Sequence, residues 1–167
     1  MAALLISDTS ILIDLERGDV AEAAFRTSHE LAVPDVLFKR ELEPYNGAQL
    51  RALGLKVLPL EPSGVGLAAG YRVREPKISF IDSMALALAK ATTSILLTGD
   101  AALRALADQE TVECHGLLWL FDVFENEATL EVATLHAALT RIRDHPNCRL
   151  PRHEVDKRLA HYTKRME

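Results

Sequence analysis

The stretch from Ser79 to Asp100 constrains this chain more than any other. Met84-Ala85-Leu86-Ala87-Leu88-Ala89 is apolar on most sides of a helix, and such a helix has to be buried. The chain then passes almost at once into Ser94-Ile95-Leu96-Leu97-Thr98, an apolar run of strand length closed by Gly99-Asp100. A helix that cannot face water, feeding a strand that cannot either, requires a layered architecture with cover on both sides.

The rest of the first two thirds repeats that alternation. Ala3-Leu4-Leu5-Ile6-Ser7 predicts a buried strand ending at Asp8. Thr9 and Ser10 are placed to cap a helix over Ile11–Arg17, which Gly18 stops, and a short helix follows from Asp19 towards Thr27. Leu31–Val33 predicts a second strand, and Asp35 is placed as N-cap of a helix carrying Val36, Leu37, Arg40 and Glu41 that Pro44 ends. A helical turn over Gln49–Leu53 precedes a third strand, Lys56–Leu58. Ser63–Arg74 has helical spacing in spite of three glycines, and Pro76 separates it from the Ser79–Ala91 helix. Beyond the Ser94–Thr98 strand, a helix is expected over Ala101–Ala107 and a last strand over Thr111–Cys114. Strands alternating with helices predict an α/β sandwich with a mainly parallel sheet. From Gly116 the pattern is helical only: Leu117–Phe124, Thr129–Ile142 and Glu154–Tyr162, with His145–Pro151 as the one clear linker. We therefore divide the chain into an α/β unit, 1–125, and a helical C-terminal extension, 126–167.

At 167 residues the chain buries enough surface to fold without a disulfide or structural metal. Its two cysteines, Cys114 and Cys148, have neither zinc spacing nor the number for a disulfide framework. The opening apolar run lacks a basic lead-in and is cut short by Asp8, and no stretch has the length of a membrane span, so the expectation is a cytoplasmic chain with no membrane partner. The net charge of −5 is uneven. Arg141–Glu167 holds eight of the 19 Lys+Arg and four of the 24 Asp+Glu, so a tail of +4 follows a body of −9. A basic terminal segment can meet phosphates, or can simply be a solvated helix face.

Four acids fall where an open parallel sheet gathers its ligands, outside the carboxyl ends of the strands. Asp8 and Asp100 follow strands directly, Asp82 opens the buried helix, and Glu41 lies on the helix after the second strand. Singly, Asp8 and Asp82 could be helix caps or first-turn acids, and Asp100 a turn residue. Glu43, two residues from Glu41, is a rival for the second position, since residues so spaced do not share a helix face. Together the four would repel one another, raise some of their own pKa values, and be relieved by a divalent cation. All-oxygen ligands suit Mg2+ or Mn2+. A cation so held activates water and steadies charge on a phosphoryl oxygen, which is equipment for cutting a phosphodiester.

The ordered set resembles the PIN domain, in particular VapC-like toxins of toxin–antitoxin systems. The matching pieces are Asp8-Thr9-Ser10-Ile11-Leu12-Ile13-Asp14-Leu15, Lys39-Arg40-Glu41-Leu42, the run from Ile78 through Asp82 to Ala89, and Leu96-Leu97-Thr98-Gly99-Asp100-Ala101-Ala102-Leu103. The resemblance covers roughly residues 1 to 120. It implies a three-layer α/β sandwich and a magnesium-dependent endoribonuclease with Asp8, Glu41, Asp82 and Asp100 as catalytic acids, Asp8, Asp82 and Asp100 holding the metal. Ser10 and Thr98 would orient these carboxylates. It also implies a homodimer, often held inactive by a small antitoxin protein.

RNA phosphates near such an acidic site would need cations. The candidates are Arg74, Lys77 and Arg104, with Arg72, Lys39 and Arg40 as further basic neighbours. Trp119, Phe121 and Phe124 are expected in the core or a dimer interface. The alternative is a catalytically weak PIN-like module that binds RNA or protein. It is motivated by the basic tail and by Ala101, Ala102 and Leu103, where some family members carry an additional acid. A haloacid-dehalogenase-type phosphatase would need a second Asp where Ser10 stands, and no glycine-rich phosphate loop follows the first strand.

Overall fold

Five short apolar runs, Leu4–Ser7 (β1), Glu30–Pro34 (β2), Lys56–Leu58 (β3), Ile95–Leu97 (β4) and Cys114–His115 (β5), pair into one sheet in the order β3-β2-β1-β4-β5. The structure is a computed structural model and describes residues 2–167. All pairings are parallel, with β1 in the centre: Leu5 stands beside Leu31 on one flank and Ile95 on the other. A parallel sheet has no face to spare for water, which is why its strands are apolar on both sides.

The period-2 alternation sorts these side chains into two cores. Leu5, Leu31, Val33 and Leu97 belong to one face. That face is covered by α1 (Thr9–Arg17), α2 (Ala21–Ala24), α8 (Leu117–Asn126), α9 (Val132–Asp144) and α10 (Arg152–Met166). Ile6, Ala32 and Leu96 face the opposite core, filled by α5 (Pro62–Arg74), α6 (Phe80–Ala91) and α7 (Ala101–Gln109). Every residue of α6 from Ser83 to Ala89 is buried, as its all-round apolar sequence demands. The remaining helices, α3 (Asp35–Leu37), a π-helical turn at Phe38–Leu42 and α4 (Gly47–Leu53), lie between β2 and β3. The expected three-layer α/β sandwich is thus present. Its helical end is continuous with it: Leu135, Leu139 and Ile142 of α9 and Val155, Leu159 and Tyr162 of α10 share one apolar cluster with β1 and α1.

Several boundaries differ from those expected. Asp8, rather than Thr9 or Ser10, is the N-cap of α1. Pro34 occupies the N-cap position of α3, and Asp35 is its first helical residue. The last strand is Cys114–His115, not Thr111–Cys114. Thr111 takes a left-handed φ of 54° and Val112 donates to the Ala107 carbonyl, so these residues terminate α7 instead. The π-helical turn, in which Glu43 N–H donates to the Phe38 carbonyl, has no signature in propensity. Among the described residues no helix is long and apolar enough to cross a membrane.

Candidate active site

The chain runs outward from β1 to β2 and β3, then crosses back to lay β4 on the other flank of β1. The sheet therefore has its topological switch point between β1 and β4, and a crevice opens at their carboxyl ends. Asp8 sits in it, 3% exposed, its N–H donating to the Leu97 carbonyl at 3.0 Å. Its Oδ1 accepts from the Ile11 N–H (3.0 Å) and the Ser10 hydroxyl (2.8 Å). Its Oδ2 accepts from the Thr98 hydroxyl at 2.5 Å. The same Thr98 oxygen accepts from the Asp100 N–H at 3.1 Å, and Asp100 Oδ1 caps α7 through the Leu103 N–H at 2.8 Å. Thr98, fully buried, is thus the link between the two strand-end acids.

Asp82 lies in the first turn of α6, whose N-cap Ser79 accepts from the Asp82 N–H at 3.0 Å. The N-termini of α1, α6 and α7 therefore carry Asp8, Asp82 and Asp100, each near the positive end of a helix dipole. Glu41 comes from the π-helical turn, its Oε1 held by the Thr9 hydroxyl at 2.7 Å. All four acids line one cleft of about 1500 Å³, as do Ser10 and Ser79. Glu43 is exposed and does not line it, so of the two rivals only Glu41 reaches the cleft.

The acids feel one another. Burial, then the charges of Asp8, Asp100 and Glu41, push the Asp82 carboxyl up to about 6 against the hydrogen bond from Ser79. Burial also raises Asp8, opposed by the hydrogen bonds of Thr98, Ile11 and Ser10. The donor chemistry is all oxygen and fits a hard divalent cation. The spacing is open: among the described residues no three His, Cys, Asp or Glu side chains stand close enough to enclose an ion. The fit is therefore one of donor type and charge, not of a closed coordination shell.

The basic candidates divide. Arg104 lines the cleft, with one guanidinium nitrogen donating to the Thr98 carbonyl at 3.0 Å. Arg74 does not: it binds Glu110 (2.9 Å) and Gln109 (3.0 Å), near the opposite end of α7 from Asp100. Lys77 is exposed and also outside the cleft. The far wall comes from the C-terminal linker and α10, through Asn147, Arg149, Leu150, Glu154 and Arg158. Arg158 is spent on Asp122 and Glu154, whereas Arg149 is exposed. The excess of positive charge in the tail was the only sequence signal for Arg149. Trp119 is half-buried in the cleft wall, stacked on His115 with centroids 4.4 Å apart and planes 6° from parallel, while Phe121 and Phe124 are core residues as expected.

A family model described as a PIN domain matches residues 4–164, α9 and α10 included. Among solved structures, the crystal structure of PAE2754 from Pyrobaculum aerophilum is similar, with a TM-score of 0.51 at 19% identity, covering 74% of this chain and 98% of that one. No curated protein matches the chain.

Proposed function

The chain belongs to the PIN-domain family, and from that premise we propose that it is a divalent-metal-dependent endoribonuclease cutting at the switch-point cleft. Proteins of this family are typically nucleases, which supports a phosphodiester hydrolase. The observation that carries the finer reading is the convergence of Asp8, Glu41, Asp82 and Asp100 on one cleft, where burial and then the neighbouring charges raise the proton affinity of Asp82.

In this reading Asp8, Asp82 and Asp100 would hold Mg2+ or Mn2+, which would supply positive charge to a phosphoryl oxygen and acidify water. Thr98 and Ser10 keep Asp8 facing the cleft, and Thr9 keeps Glu41 there, where it orients the attacking water. The water oxygen bonds to phosphorus and releases a proton to solvent, the opposite P–O ester bond breaks, and the leaving oxygen takes up a proton from solvent. Arg104 and Arg149 neutralise neighbouring phosphates without reading sequence. A cytoplasmic toxin role, a small antitoxin and a homodimer extend the proposal on the strength of the motif resemblance.

A second reading, a PIN-like module that binds RNA or protein with little turnover, is favoured by the open spacing of the acids. One assay separates the two. The nuclease reading predicts cleavage of single-stranded RNA with Mg2+ or Mn2+, stopped by EDTA and abolished in Asp8→Asn and Asp82→Asn proteins that remain folded. RNA binding that survives EDTA, with no metal-dependent cutting, would leave only the binding module.

A further inference from the structure

Gly116 links β5 to α8 in an extended backbone, with φ −108° and ψ −170°. The backbone there does not call for glycine. What requires it is a side chain from elsewhere. A Cβ on residue 116 would stand 2.8 Å from an Arg104 guanidinium nitrogen and 3.6 Å from the Thr98 carbonyl oxygen. That guanidinium nitrogen is the one that donates to that carbonyl at 3.0 Å. The missing side chain is therefore the space through which Arg104 reaches the end of β4.

What Arg104 reaches matters for the site. Thr98 grips Asp8 through its hydroxyl and receives the Asp100 N–H on the same atom. Docked on the Thr98 carbonyl, Arg104 has its guanidinium fixed in the cleft that the two acids also line. A guanidinium has five N–H donors in a rigid fork, so one bond to Thr98 leaves others for an oxyanion. Among the described residues no carboxylate pairs with Arg104, unlike Arg17, Arg74 and Arg158.

We propose that Gly116 is a positioning residue: its absent side chain forms a notch that docks Arg104 against β4, setting the remaining guanidinium donors for a phosphate of the bound strand. The identity of the anion rests on the nuclease reading above; the docking of Arg104 does not. An alanine at 116 folds, because its backbone is ordinary and the clash is with the tip of a flexible side chain. It evicts the guanidinium and breaks the bond to Thr98.

The test compares wild type, Gly116→Ala, Arg104→Ala and the double variant, with Gly66→Ala as control, since a Cβ on Gly66 meets nothing within 4 Å. Two readouts are taken: kcat and KM on a short single-stranded RNA with Mg2+, and binding of the same RNA in EDTA. Loss of one charge-assisted contact corresponds to about a tenfold change. Gly116→Ala should therefore lower kcat/KM and weaken binding about tenfold, with a melting temperature no lower than that of Arg104→Ala. Arg104→Ala should do at least as much, and Gly116→Ala should add nothing to it. Gly66→Ala should match wild type. Full activity and binding in Gly116→Ala, or losses that multiply in the double variant, would overturn the proposal. If wild type shows no metal-dependent cleavage, the nuclease reading fails and the binding arm decides alone: equal, non-additive weakening sustains the notch, and four equal affinities remove it.

Discussion

At the scale of single residues, Thr98 ties the site together. Its hydroxyl serves two acids at once, and it is fully buried. Thr98→Val keeps the shape and removes both bonds, leaving an Asp8 oxygen and the Asp100 N–H unpaired. We predict a loss of about 1–3 kcal/mol in unfolding free energy, measured by urea titration, and a fall in RNA cleavage larger than stability explains. Asp82 gives a second residue-scale prediction. Its folded pKa, about 6, lies above the ordinary value of 3.8. The native state holds this proton more tightly than the unfolded chain does. The stability it contributes is full below pH 4 and lost as pH rises through about 6. In metal-free protein Asp82→Asn should therefore be more stable than wild type at neutral pH, by about 1–2 kcal/mol once solvent screening of a partly open group is discounted. The advantage should vanish near pH 4, as read by melting temperature across that range. An equal offset at both pH values would show that burial and the neighbouring acids do not raise Asp82 in this way.

At the scale of elements, the site is built from helix starts and strand ends, and these differ in how openly a sequence shows them. β1, α6 and β4 are legible because Leu4–Ser7, Met84–Ala89 and Ile95–Thr98 are apolar runs bounded by acids and Gly99. Three of the four acids follow from them, since Asp8 and Asp100 end strands and Asp82 starts a helix. Glu41 is harder. It rides on a π-helical turn whose buried residues, Phe38 and Leu42, are spaced as in an ordinary helix, so only the extra residue in the hydrogen-bond ring marks it. The part of Gly116 and the docking of Arg104 on Thr98 were illegible, because they depend on a contact between α7 and the β5–α8 junction that no local pattern records. The stacking of Trp119 on His115 is of the same kind. Close packing between elements supplies another prediction. A Cβ on Gly18, at the end of α1, would lie 2.8 Å from Ile142 Cδ1 of α9 and 3.4 Å from the Ala138 carbonyl. Gly18→Ala should cost about 1–3 kcal/mol through overpacking, seen as a lowered urea midpoint with an unchanged slope. A neutral outcome would mean that α1 and α9 can move apart freely.

At the scale of the whole molecule, α9 and α10 do more than extend the sandwich. They close the apolar cluster over α1 and bring Asn147–Pro151 to the rim of the cleft, so core and site share the same C-terminal segment. A chain cut after residue 125 would expose the faces that meet Leu135, Leu139, Ile142, Val155, Leu159 and Tyr162. We expect it to lose cooperative unfolding, as followed by calorimetry; a sharp transition would establish a self-sufficient α/β unit. The whole topology, with its reversal between β1 and β4, brings like negative charges into one cleft, and we propose that they bind a cation there. Diffraction from crystals soaked in MnCl2, recorded for anomalous scattering, tests this most directly. We expect a manganese peak in the switch-point cleft with Asp8, Asp82 and Asp100 drawn in around it. A cleft without a peak at saturating manganese, or a peak that touches none of these three, would contradict it.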